Sequence, residues 1–209
     1  MKERPIIFSA PMVRAILEGR KTVTRLGVKP QPEGHYWEWV PGYVGEYRHE
    51  GDNLWHFAHR IPQNPQWDCE RQIRCPYGQP GDRLWVRETW CYAWDDEREG
   101  WTDPERYCYR ADGVEVINVD DSECSPWKPS IHMPRRASRI TLEVTGVRVE
   151  RLQDISDEQA LAEGVDRTNA LYKGNSRRLF ADLWDSINGF GSCAVNPWVW
   201  VVEFKRLTP

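Results

Sequence analysis

The segment from Gly19 to Arg25 concentrates side chains that can do chemistry. Its seven residues hold an amine, two hydroxyls and two guanidinium groups, in the order Gly19, Arg20, Lys21, Thr22, Val23, Thr24, Arg25. Upstream, Ser9 and Pro11 are typical of a helix start, and Gly19 is typical of a helix end. We therefore expect a basic, hydroxyl-bearing segment that leaves a helix and enters a strand over residues 21–28. Such a segment is suited to binding an anion or a polar heterocycle.

An amine and an alcohol three residues apart are also candidates for nucleophilic catalysis. A threonine hydroxyl attacks an amide only if a base takes its proton, and a lysine serves as that base only if its pKa falls toward neutrality. Burial beside Arg20 or Arg25 would lower it. Residues i and i+3 of a strand face opposite sides, so Lys21 and Thr24 converge only if the chain turns or bulges between them. In the ordinary alternative, Lys21 offsets a helix dipole and Thr24 fills a strand.

The pattern Gly-x-Lys-x-x-Thr after a short amphipathic helix resembles the signature of ASCH domains, small β-barrels of the PUA-like superfamily. Other segments resemble further elements of that family, and they lie in family order: Gly81-Asp82 with the strand at 83–86, the strand pair at 139–151, the helix at 160–164 and the closing strand at 198–204. Larger proteins of this type are typical of phages and prophages. One departure is Leu26, where the family usually has an arginine.

The resemblance implies a site and several competing functions. Some relatives hydrolyse the amide of an acylated cytosine with a lysine, a threonine and a glutamate, and the matching positions are Lys21, Thr24 and Glu163. Others are linked to RNA binding or RNA cleavage. We therefore expect a domain that recognises a nucleobase or nucleotide in a cleft formed by residues 19–25, the Glu163 helix and residues 135–139. Three functions compete: an amidohydrolase of N4-acylated cytosine nucleosides, an RNA-binding or single-strand ribonuclease domain, and a non-catalytic phage accessory protein that binds a protein partner through its insertions. No cofactor is expected.

Basic and aromatic residues supply the candidates for nucleic-acid contact. Arg20 and Arg25 flank Lys21, and a second cluster consists of Arg135, Arg136 and Arg139. This second cluster is either a phosphate-binding patch or charge balance for the acidic run at 120–123. The chain has twelve tryptophans, most of which we expect in the core or in packed loops. The candidates for base stacking are Trp85, Trp90 and Trp127.

Composition limits the function classes. A net charge of −4 excludes a protein that coats nucleic acid through bulk charge, so any such contact is local. No apolar stretch is long enough for a signal peptide or a membrane span, which predicts a cytoplasmic protein with reduced cysteines. We expect no metal, because the spacing of the nearest candidate ligands matches no standard zinc site: His56, His59, Cys69 and Cys75.

The pattern as a whole predicts an α+β fold: one PUA-like β-barrel domain over residues 1–209 with two or three packing helices. Helices are expected at 9–19, from the capping box of Ser156 and Gln159, and from Ser176. A long strand at 138–152 should bend at Gly146, and the strand from Trp198, apolar on both faces, should lie centrally. Two stretches lack a sustained period and are predicted to be long loop insertions, near 29–79 and 89–106.

Overall fold

The computed structural model describes residues 1–31, 44–49, 54–60, 67–95, 100–101, 107–113, 126–165 and 175–207. Within these residues the chain is α+β, which confirms the predicted class. The strands are Glu3–Ile7 (β1), Val23–Gly27 (β2), Val44–His49 (β3), Leu54–Arg60 (β4), Trp67–Arg74 (β5), Arg83–Arg87 (β6), Trp90–Tyr92 (β7), Trp94–Asp95 (β8), Gly100–Trp101 (β9), Tyr107–Tyr109 (β10), Thr141–Arg151 (β11) and Trp198–Leu207 (β12). The α-helices are Ala10–Leu17 (α1), Asp157–Ala162 (α2) and Ser176–Asn188 (α3).

A five-stranded sheet in the order β1-β6-β11-β12-β2 organises the molecule. The β1–β6 pair is parallel and the other pairs are antiparallel. Because β12 pairs with β11 on one side and β2 on the other, its predicted central place is confirmed. In the described part of the chain no pairing joins β1 to β2, so the sheet is open there and the closed PUA-like barrel stays a prediction.

Both faces of this sheet are covered. Trp200, Val202 and Phe204 of β12 belong to a core that also contains Val13 and Ile16 of α1. Val199 and Val201, which point the opposite way, pack in a second core with α2 and α3. The strand is apolar on both sides because each side meets a different helical layer.

Local signals at the predicted turns and caps are mostly confirmed. The Ser156 side chain accepts a hydrogen bond from the Gln159 backbone N–H, and the Gln159 side-chain oxygen accepts one from the Ser156 backbone N–H, which completes the capping box of α2. The register of β11 against β12 shifts between Val144 and Gly146, at the glycine where the sequence predicted a bend. Ser9 does precede α1, but its side chain makes no capping hydrogen bond, so Ser9 is not the hydroxyl cap that the sequence suggested.

The first predicted insertion is not a plain loop. Strands β3, β4 and β5 form an antiparallel sheet within residues 29–79, so the loop prediction is wrong for this part. Trp55 of β4 is buried and packs edge-on against Trp200 of the main core, with ring centroids 5.7 Å apart. Polar and apolar residues do not alternate regularly along these strands. The sequence pattern predicts a strand only when one of its faces is consistently apolar, so these strands were not predicted.

The second predicted insertion, near 89–106, also contains strands. β7 pairs with β10, and β8 pairs with β9, so the loop prediction is also wrong for this part. A 3-10 turn follows β10 and ends at Gly113, and residues 114–119 lie outside the described residues.

Candidate active site

Lys21 follows the end of α1 and lies against the end of α2. Gly19 adopts a positive φ of 75°, and the backbone N–H groups of Arg20 and Lys21 both donate to the Ala15 carbonyl. Lys21 then pairs with Glu163 in an isolated antiparallel bridge, and β2 begins only at Val23. The chain therefore has an irregular entry into β2, which is what the convergence of Lys21 and Thr24 requires.

Close packing at this junction depends on Gly164, which follows Glu163. Its φ is +87°, and a Cβ added there would lie 2.8 Å from the Ala15 Cβ and 3.0 Å from the Lys21 Cβ. Any side chain would push the end of α2 away from the segment after α1. Glycine thus lets two backbones approach closely enough for the Lys21 and Glu163 side chains to meet.

The Lys21 ammonium group is fully committed to polar partners. It donates hydrogen bonds to the Val23 carbonyl at 2.9 Å, the Glu163 carbonyl at 2.9 Å and Glu163 Oε2 at 2.7 Å. The side chain is entirely buried. An ammonium has three protons, so these bonds use all of them, and none of them goes to Thr24.

Arg25 holds the other oxygen of the same carboxylate. Its Nη1 donates to Glu163 Oε1 at 3.2 Å, while Nη2 donates to Glu150 Oε2 at 3.2 Å and to Gln159 Oε1 at 2.8 Å. The side chain has no exposed surface. The structure thus pairs Arg25 with acceptors of the protein itself, whereas the sequence suggested a contact with a ligand anion.

A cavity of about 440 Å³ lies beside this ion-pair cluster, and we call it the Glu163 cavity. Thr24, Arg25 and Glu163 line it together with aromatic side chains of Phe8, Phe180 and Trp184. The Thr24 hydroxyl makes no hydrogen bond within the described residues. Lys21 is not part of the lining and reaches the cavity only through Glu163.

This lining brings a hydroxyl and a carboxylate to one largely apolar space. Arg25 and Glu163 are its charged residues among those described, and their charges cancel. A concave, mostly apolar site with a few convergent polar groups suits a small, uncharged, flat ligand. Phe180 and Trp184 were not predicted as site residues, because the apolar face of α3 indicated only core packing.

The remaining predicted basic residues lie elsewhere. Arg20 is exposed and bonds Glu18 and the Gly164 carbonyl. Arg135 bonds both carboxylate oxygens of Glu3. Arg136 is exposed. Arg135 and Arg139 line a separate depression of about 380 Å³, so the structure does not bring them to the Glu163 cavity.

Arg139 is tied to two acids near that depression. It bonds both oxygens of Glu88 and both oxygens of Asp112, and Glu88 is only 1% exposed. Burial raises the pKa of the Glu88 carboxyl above its ordinary value, although the hydrogen bond from Arg139 works in the opposite direction. The arginine is therefore engaged in an internal network.

None of the three tryptophans predicted to stack on bases lines the Glu163 cavity. Trp85 is buried under the guanidinium of Arg87, whose Cζ lies 4.6 Å from the ring centroid. Trp90 is buried in an aromatic cluster with Tyr92 and Tyr107. Trp127 is partly exposed.

The sequence predicted no metal site and no membrane span. The side chains of His56, His59 and Cys69 lie outside what is described, and burial raises the pKa of the Cys75 thiol to about 11. No group of metal-binding side chains occurs within the described residues. None of the described helices is long and apolar enough to cross a membrane.

Comparison with known proteins identifies no relative. No protein-family model matches the chain, and neither a curated protein nor a solved structure matches it.

Proposed function

We propose that the chain is an ASCH-type, PUA-like domain whose Glu163 cavity binds an uncharged nucleobase or nucleoside and hydrolyses the amide of an N4-acylated cytosine. The observation that supports this most is the shared lining: the Thr24 hydroxyl and the Glu163 carboxylate border one aromatic cavity. The three side chains that the motif implies as a catalytic set are Lys21, Thr24 and Glu163. Two of them line the cavity and the third bonds the carboxylate directly.

In this proposal Glu163 is the base, although the sequence suggested Lys21. All three ammonium protons of Lys21 are engaged, so it has no free lone pair for the Thr24 proton. Glu163 Oε1 has one long bond to Arg25, at 3.2 Å, and keeps acceptor capacity. Lys21 and Arg25 fix the orientation of the carboxylate, one at each oxygen.

The reaction then proceeds in two steps. Thr24 Oγ1 attacks the acyl carbon while Glu163 takes the hydroxyl proton, and the C–N bond breaks as that proton passes to N4 of the leaving cytosine. An ester between Thr24 and the acyl group results. Water then attacks the ester carbon while Glu163 takes one of its protons, and the bond to Thr24 Oγ1 breaks as Glu163 passes that proton to the Thr24 oxygen. The free carboxylic acid leaves, and the Thr24 hydroxyl and the Glu163 carboxylate are restored.

The charge of the cavity favours a nucleoside over RNA. The lining offers no net positive charge to a phosphate, because Arg25 is neutralised by Glu163 and Glu150. Arg135 and Arg139, the residues of the predicted phosphate patch, line a different depression and each bonds a carboxylate. An RNA-binding groove depends on free cations along its length.

The test is incubation with N4-acetylcytidine, with cytidine formation followed by liquid chromatography. We expect turnover by the wild type and a loss of at least about 100-fold in kcat for Thr24→Val, because the attacking hydroxyl is gone. Thr22→Val is a matched control, since Thr22 is exposed and outside the cavity lining, and it should retain wild-type kcat. Absence of turnover by the wild type, or full activity of Thr24→Val, would contradict the proposal.

A further inference from the structure

Helix α3 supplies one wall of the Glu163 cavity. Phe180 and Trp184 are four residues apart, so they lie on the same face of the helix, and both are buried. Their ring centroids are 6.2 Å apart. The Arg25 guanidinium carbon lies 5.8 Å from the Phe180 ring centroid, which places this wall next to the ion-pair cluster.

This wall contains a hydrogen-bond donor without an acceptor. Trp184 Nε1 is buried and has no hydrogen-bond partner, and the same is true of Arg25 Nε. Buried tryptophan N–H groups usually find a partner, so an unused one calls for an explanation. Both residues line the same cavity, which makes a ligand a common explanation.

The unused groups define the chemistry of a fitting ligand. Two N–H donors and the unpartnered Thr24 hydroxyl would match a molecule rich in acceptor atoms. The Glu163 carboxylate adds an acceptor for a ligand N–H. A pyrimidine with an exocyclic amide offers this combination, since its ring and acyl carbonyls accept and its amide nitrogen donates.

We propose that Trp184 is a ligand-binding residue of the Glu163 cavity, whose indole N–H donates a hydrogen bond to a carbonyl oxygen of the bound heterocycle or of its acyl group. The inference rests on the proposed function, because it requires a heterocyclic ligand in this cavity. Nε1 is shielded from solvent in this structure, so binding includes a small shift of the indole toward the ligand.

Trp90 provides a matched comparison. Its Nε1 is also buried and without a partner, but it lies in the aromatic cluster with Tyr92 and Tyr107 and does not line the Glu163 cavity. If a missing partner were only a feature of packing, both tryptophans would behave alike toward ligand.

The experiment measures binding of N4-acetylcytidine by isothermal titration calorimetry in a Thr24→Val background, where the ligand is not consumed. Trp184 is replaced by β-(3-benzothienyl)alanine, which keeps the ring shape and exchanges the N–H for sulfur, and by phenylalanine as a second variant. We expect the dissociation constant to rise about five- to tenfold, the effect of losing one neutral hydrogen bond. The same exchange at Trp90 should leave the constant unchanged.

The outcomes separate this inference from the proposed function. Tight binding without turnover by the wild type would overturn the hydrolase and leave Trp184 supported if its exchange weakens binding. Turnover by the wild type with unchanged affinity after the Trp184 exchange would overturn the inference alone. An equal loss of affinity at Trp90 and Trp184 would also overturn it, and absence of both binding and wild-type turnover would overturn both.

Discussion

Two pairs of basic residues that looked alike in the sequence differ in the structure. Lys21 and Arg25 have fully buried side chains that share the Glu163 carboxylate. Arg135 and Arg139 keep 43% and 26% of their side chains exposed; Arg135 pairs with the exposed Glu3, and Arg139 pairs with the buried Glu88 from the surface side. The residue type predicts a cation in both places, but burial decides whether that cation is part of a fixed site or of a solvated face.

The difference is energetic as well as geometric. A buried charge that loses its partner remains uncompensated in a medium of low polarity, whereas an exposed charge is stabilised by water. Single substitutions among Lys21, Arg25 and Glu163 should therefore destabilise the fold, whereas substitutions in the exposed Glu3–Arg135 pair should be tolerated.

Glu163→Gln tests this contrast with the largest expected effect. The substitution leaves Lys21 and Arg25 buried with one fewer anion, and we expect the free energy of unfolding to fall by about 3–5 kcal/mol. Urea denaturation followed by circular dichroism measures it. The control is Glu3→Gln, which breaks a surface pair with Arg135 and should cost about 0–1 kcal/mol. Equal losses in the two variants would contradict the contrast.

Gly164→Ala probes how tightly the site junction is packed. Alanine at a positive φ costs about 1–2 kcal/mol, and the contact with Ala15 should add about 1–3 kcal/mol of overpacking. Gly19→Ala is the matched variant, because Gly19 has a similar φ of +75° and open space around its missing Cβ. Thermal or urea unfolding should therefore show a greater loss at position 164, and a similar loss at both positions would argue against close packing.

Glu88 and Glu3, the acids that pair with Arg139 and Arg135, should change the free energy of unfolding with pH in opposite directions. The raised pKa of Glu88 means that the folded protein binds its proton more tightly, so its contribution to stability is present below pH 4.5 and is lost as the pH rises through the folded value. The hydrogen bond from Arg135 lowers the pKa of Glu3, so its contribution is present above pH 4.5 and is lost on acidification.

The measurement is the urea midpoint of the wild type, Glu88→Gln and Glu3→Gln across the acid to neutral range. As the pH rises, the wild type should lose stability relative to Glu88→Gln and gain a little relative to Glu3→Gln, which is mostly solvated. Slopes of the same sign in the two comparisons would show that Glu88 is not desolvated as the structure indicates.

Arg135→Gln should have the smallest effect. We expect N4-acetylcytidine turnover to be unchanged, because Arg135 does not line the Glu163 cavity. Fluorescence anisotropy with labelled single-stranded RNA at several salt concentrations tests the rival function. A phosphate contact at this residue would reduce the salt slope by about 1 when it is removed. Such a reduction would favour the RNA-binding alternative over the nucleoside hydrolase.

Local features of the fold were predictable because their causes are local. The capping box of Ser156 and Gln159 lies within four residues, and the irregularity of β11 at Gly146 coincides with one glycine in a long alternating stretch. The central place of β12 was predictable for a similar reason, since apolar residues on both faces require cover on both sides.

Contacts between residues far apart in the sequence could not be predicted in the same way. The identity of an arginine does not reveal whether it will be buried, so Arg25 was predicted to meet a ligand anion although it meets Glu150 and Glu163. Trp184 was not predicted as a site residue, because an apolar helix face is compatible with both a packed core and a cavity wall. The contact between Lys21 and Glu163 was expected through the family resemblance, since no pattern within the sequence links positions that far apart.

That contact also constrains when the site can form. The hydrogen bond from Lys21 Nζ to Glu163 Oε2 joins residues 142 positions apart, and the chain between them includes most of the main sheet. Closing so long a segment is slow, because its entropy is spent before the contact forms. During synthesis on the ribosome, a nascent chain that has not yet reached Glu163 holds Lys21 and Arg25 without this shared counter-ion. We therefore expect α1 and β2 not to reach their final packing until α2 has left the exit tunnel.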